Sequence, residues 1–143
     1  MYRLLFGVVI ATVSLCATAR PLANGGGDYG EPIATTVSVR FADSSAVFRP
    51  DADTAAMLAE APAAAMVTVS GRTSTATPSA KDEALALARA LSARNYLVAH
   101  GVSPLKIMVN FASASDFTTD NSTPEGRATN QRVEIEVVYV PHN

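Results

Sequence analysis

Asp82 and Arg89 stand seven residues apart in the stretch from Gly71 to Arg89, GRTSTATPSAKDEALALAR. The stretch reads as a strand end, a loop of small polar residues and the start of a helix. At about 3.6 residues per turn, that spacing sets a carboxylate and a guanidinium on one helix face, roughly 10 Å apart along the axis. Such a pair suits the two ends of a zwitterion. The loop before the helix adds the hydroxyls of Thr73, Ser74, Thr75 and Thr77. Strand-to-helix loops commonly carry ligand contacts because the scaffold on either side is rigid. Each charge also has a plain structural use. Asp82 follows Ser79 by three and completes a capping box, and Arg89 suits an exposed pair with Glu83 or Asp82.

Other chemistry is thinly represented. Once an N-terminal leader is removed, the chain keeps two histidines, His100 beside a helix-ending Gly101 and His142 near the terminus, and no thiol. No Ser-His-Asp set and no metal-ligand spacing can be assembled from these, so neither catalytic residues nor a metal or cofactor are expected, and an enzyme is excluded. Asp51 and Asp53 resemble paired carboxylates but stand where a helix start favours negative charge.

The leader is read from Met1-Tyr2-Arg3, an apolar run from Leu4 to Cys16, and Ala17-Thr18-Ala19 as an A-x-A cleavage site. The run is short for a membrane span, so residues 1–19 are expected to be a secretory signal peptide. Lipidation at Cys16 would want a small residue before it, where Leu15 stands; lipidation and retention as an anchor stay open. Cleavage takes 19 of the 143 residues, including Arg3 and the only cysteine, and leaves 10 basic and 13 acidic side chains. The resulting net charge of −3 excludes nucleic acid as a partner, and without a disulfide the fold must hold by its core. The composition, 48% hydrophobic and 17% charged, suits one globular domain.

Residues 20–35, rich in Gly and Pro, are expected to be a flexible leader, followed by a domain over 36–140 and a tail over 141–143. Polar and apolar residues alternate over Thr36–Phe41, Met66–Gly71 and Arg132–Tyr139, and these with Lys106–Phe111 are the four expected strands. A short helix is expected over Pro50–Ala61, stopped by Pro62. A long one is expected over Ala80–His100, N-capped by Ser79 and ended by Gly101, with Ala84, Leu87, Leu91 and Val98 as its apolar stripe and Leu85 and Leu97 pointing elsewhere. Ala112–Thr123 reads as a polar loop and Pro124–Thr129 as one helical turn. Strands interleaved with helices predict an α/β sandwich, with one mixed four-stranded sheet and two main helices packed on one face.

Three groups of residues form a recognisable series. Val39-Arg40-Phe41, Ser45, Phe48, Pro50 and Asp51 form the first. Gly71-Arg72-Thr73-Ser74 with Asp82, Leu85, Ala86, Arg89 and Ala90 form the second. Asn121 to Glu134, NSTPEGRATNQRVE, form the third. Over about residues 36–140 the chain resembles the OmpA C-terminal (OmpA-like) domain, the periplasmic module that holds Gram-negative peptidoglycan non-covalently. The resemblance implies an exported periplasmic, outer-membrane-associated protein that tethers a cell-envelope component and works through an envelope protein partner; a homodimer is left open. It also implies a ligand, the meso-diaminopimelate of the stem peptide, whose ammonium meets an Asp and whose carboxylate meets the helix Arg, here Arg89. At the Asp position this chain has Ser74, and at the first Arg of the closing motif Gln131. Loss of a desolvated carboxylate partner costs roughly 2–5 kcal/mol. Asp82, on the Arg89 face, is the candidate replacement. The expected binding residues are therefore Arg89, Asp82, Ser74, Thr73 and Arg132. Arg127 and Arg132 either face the same pocket or tie the 112–129 loop to the sheet. The alternative is a degenerate domain that has lost peptidoglycan and serves as a structural protein–protein subunit of an envelope assembly.

Overall fold

In a computed structural model the described residues are 29–142; the expected signal peptide and most of the leader lie outside them. The elements run β1 (Ile33–Arg40), α1 (Ala52–Leu58), β2 (Met66–Arg72), α2 (Ala80–Ala99), β3 (Ile107–Ala112), α3 (Pro124–Asn130) and β4 (Arg132–Tyr139), with 3₁₀ turns at Ala61–Ala63 and Pro104–Lys106. β1 starts three residues before the expected domain boundary, and Tyr29 pairs with His142, so the end of the expected leader is part of the domain.

One mixed sheet has the order β1-β4-β2-β3. β4 runs antiparallel to both of its neighbours, while β2 and β3 are parallel. Parallel neighbours need a crossover, and α2 supplies it. The last strand in sequence thereby becomes a central strand, and the closing motif is delivered to the middle of the fold. Alternation sorts the two faces. Val37, Val39, Val67, Val69, Val133, Ile135 and Val137 are buried toward the helices, while Thr36, Ser38, Glu136 and Asn110 on the other face are exposed. Leu58, Ala61, Ala90, Ala93 and Leu97 close the same core from the helix side.

The helix starts follow their caps. Asp51 accepts from the Thr54 amide at 2.8 Å, and the hydrogen bonds from Thr54 hold its carboxyl below the usual carboxylate range. Ser79 accepts from the Asp82 amide at 3.1 Å and donates to the Asp82 carboxylate, a complete capping box. Gly101 takes φ 95°, the left-handed conformation that ends α2.

The expected apolar stripe of α2 is corrected. The buried residues are Ala86, Arg89, Ala90, Ala93 and Leu97, whereas Ala84 and Leu91 are exposed. The face against the sheet is made of alanines because Gly71, on the inner face of β2, lies directly under the Ala86 carbonyl. Helix and strand approach too closely there for larger side chains, so Leu91 is turned outward, whereas Leu97, expected to point elsewhere, is fully buried in the core further along the helix.

Candidate functional site

Arg89 sits at the crossing point of three chain segments and is fully buried, 0% exposed. Its Nε donates to the Ser45 carbonyl at 2.8 Å and its Nη1 to the Arg72 carbonyl at 3.0 Å. Nη2 donates to the Ala42 carbonyl at 3.3 Å and to Gln131 Oε1 at 2.8 Å. The guanidinium carbon lies 5.3 Å from the centre of the Phe41 ring, a cation–π distance. Burial lowers the pKa of Arg89, and the nearby Asp43 carboxylate opposes that shift. One side chain thus ties the exit of β1, the exit of β2 and the junction of α3 with β4. The loop after β1 is wrapped around it, with Ser44 in the left-handed region at φ 54° between the two tethered carbonyls of Ala42 and Ser45.

Above this arginine lies a concavity of about 670 Å³, lined by Ala42, Asp43, Ser74, Asn121, Arg127 and Gln131 among others. Its far wall is built by the closing motif. Thr123 caps α3 by accepting from the Gly126 amide at 3.0 Å, and Pro124 occupies the first turn. Asn121 donates to the Ser74 carbonyl at 2.7 Å and so clamps the loop after β2 to the segment before α3. Arg127 Nη1 donates to the Ser122 carbonyl at 2.8 Å and the Asn121 carbonyl at 3.3 Å.

Behind that wall, fully buried Asn130 holds the loop. Its Oδ1 accepts from the amides of Thr118 at 2.9 Å and Thr119 at 3.2 Å, and its Nδ2 donates to the Thr119 carbonyl and to Asn121 Oδ1, each at 3.1 Å. An apolar side chain here leaves two amides and one carbonyl unsatisfied. Asn130→Ala is expected to cost roughly 2–3 kcal/mol and to speed amide hydrogen exchange at Thr118 and Thr119 ahead of the strands. Uniform exchange across the domain would contradict this role.

The structure separates the residues singled out in the sequence. Ser74 lines the concavity. Arg89 lies beneath its floor, reached by four hydrogen bonds and by no solvent. Thr73, 2% exposed, is also below the surface, with its hydroxyl 3.0 Å from that of Thr75. Asp82 does not line the concavity; its carboxylate is engaged by Ser79 in the helix cap. Arg132 is on the opposite face of the sheet, as its alternation with inward-facing Val133 requires. There its Nε donates to Glu134 at 2.8 Å and its Nη2 to the Asp116 carbonyl at 2.7 Å. Arg72 bonds the Asp116 carboxylate from the same face, 2.9 Å from Nη2. Of the two arginines left open by the sequence, Arg127 faces the pocket and Arg132 ties the loop. Asp43, Asn121 and Gln131 were not expected as lining. The only sequence signal for Asp43 was its place in a polar loop following an apolar strand.

Comparison with known proteins agrees with this architecture. The OmpA family matches residues 40–131, which include every element around the concavity. A Brucella suis biovar 1 protein, described by name as an outer membrane lipoprotein of a type IV secretion system, is 33% identical over 112 residues, 75% of this chain and 63% of that protein. The chain therefore spans less than two thirds of the length of that relative. Among solved structures, the cell wall anchor of the type VI secretion system from Pseudomonas aeruginosa superposes with a TM-score of 0.58 at 26% identity, covering 73% of this chain and 80% of that one. The peptidoglycan-associated lipoprotein from Burkholderia pseudomallei shares the fold, with a TM-score of 0.59 at 21% identity over 71% of this chain and 88% of its own. With the family matched over most of the chain and the same sheet and helices in its structural neighbours, the protein belongs to the OmpA family.

Proposed function

We propose that this domain binds peptidoglycan non-covalently in the periplasm, through the free amino acid centre of meso-diaminopimelate in the stem peptide, and so tethers an envelope component to the cell wall. The observation that carries the reading is the concavity itself. It is built by the loop after β1, the loop after β2 and the closing motif, and it presents both a carboxylate and a guanidinium. Two relatives are named for a cell wall anchor and for an outer membrane lipoprotein, which supports an exported protein acting through an envelope partner. In this reading Arg89 organises the site from below, and Ser74 forms part of its wall.

The purified protein is expected to cosediment with diaminopimelate-type sacculi and to be released by soluble stem peptide containing diaminopimelate. A second reading is favoured by the neutral Ser74 and by the inaccessibility of Arg89. In it the domain has lost the ligand and serves as a protein–protein subunit of an envelope assembly. A protein that stays in the supernatant with sacculi would overturn the first reading in favour of the second.

A further inference from the structure

We propose that Asp43 and Arg127 grip the two ends of the zwitterion in this chain, Asp43 holding the ammonium and Arg127 the carboxylate. This rests on the peptidoglycan reading above and assigns the charges within that site. An amino acid centre can be held only by charges it can touch. Arg89 is 0% exposed and has four of its five N–H donors directed at Ser45, Arg72, Ala42 and Gln131. Ser74 carries no charge, and the Asp82 carboxylate is committed to the helix cap.

Of the residues that line the concavity, two are charged, and they are opposite in sign: Asp43 and Arg127. Neither takes part in a salt bridge among the described residues, so they do not neutralise each other. The Asp43 carboxylate has no hydrogen-bond partner among the described residues. Arg127 spends only Nη1, on the Asn121 and Ser122 carbonyls, which leaves Nε and Nη2 for a carboxylate. Both are set in place from behind. The two carbonyls tied by Arg89 flank Asp43, and α3 carries Arg127 between its Thr123 cap and buried Asn130. The carboxylate missing at Ser74 is thus supplied from the loop after β1, across the same pocket.

The roles separate experimentally because a lysine-type stem peptide keeps the side-chain ammonium and lacks the neighbouring carboxylate. Titration calorimetry of the purified protein with soluble disaccharide-peptides of each type is expected to show at least tenfold preference for diaminopimelate. Arg127→Gln is expected to abolish the preference, and Arg127→Lys to retain part of it. Asp43→Asn is expected to weaken both peptides at least tenfold, and Asp82→Asn neither. Loss of fold would weaken both peptides without restoring parity between them, and a thermal melt of each variant checks it. Tight, selective binding that survives in both Asp43→Asn and Arg127→Gln would overturn this assignment and leave the peptidoglycan reading standing. No binding by the parent protein overturns both.

Discussion

Arg89→Ala is expected to destabilise the domain by roughly 3–5 kcal/mol, because it strips partners from three carbonyls and opens a cavity in the core. Those carbonyls belong to the loop after β1 (Ala42 and Ser45) and to the last residue of β2 (Arg72), which Arg89 ties together. The Gln131 amide loses its partner as well. Buried guanidinium charge is itself unfavourable, as the lowered pKa of Arg89 indicates, and only the full set of hydrogen bonds offsets it. Arg89→Lys should recover little, since a single ammonium cannot reproduce a planar fork that reaches three segments. Urea unfolding monitored by circular dichroism reads the change directly. Against a total of about 5–15 kcal/mol for an ordinary domain, a loss of this size threatens folding at growth temperature. A loss below about 1 kcal/mol would mean that water replaces the arginine at little cost, and the site would not be organised from below as argued. The result also governs how binding data are interpreted. Loss of peptidoglycan binding in Arg89→Ala reports collapse of the loops before it reports a lost ligand contact.

Gly71→Ala is expected to cost about 3 kcal/mol or more, at or beyond the upper end for overpacking, because the added methyl meets backbone and not a movable side chain. A Cβ at this position would lie 2.0 Å from the Ala86 carbonyl oxygen and 3.1 Å from the Ala90 Cβ. Relief requires α2 to lift from β2, which separates the buried contacts of Ala86, Ala90 and Ala93 from the sheet. The same movement would pull Arg89, one turn further along α2, away from its carbonyls. The two lesions are therefore coupled, and the double variant should lose less than the sum of the single losses. A melting temperature for Gly71→Ala within a degree or two of the parent would show that the helix tolerates displacement and that the alanine stripe is not set by this contact.

Local order was legible in the residues themselves. Alternation marked three of the four strands to within a few residues, the Ser79 box started α2, and Gly101 ended it. Each of these depends on neighbours a few positions away, which is why the sequence carries them. The interleaving of those strands with helices added the mixed sheet and the helix layer. What the tertiary structure decided depends on contacts between residues distant in the chain, from 15 positions apart for Gly71 and Ala86 to 47 for Ala42 and Arg89. Leu87 and Leu91 looked like the core stripe of α2 by hydrophobicity, yet Gly71 draws the alanine face inward, because close approach of backbones outweighs the size of the apolar side chains. Arg89 was expected as a ligand contact, or else as an exposed helix cation, but the segments around it converge and bury it. Asp82 was already explained by its own helix start. Arg132 could have been excluded by parity, since a residue that alternates with a core valine must face away from α2. The pairing of Asp43 with Arg127 across one concavity had no local sign at all. Their charges come together only because β4 is placed between β1 and β2, and that placement brings the closing motif over the loop that follows the first strand.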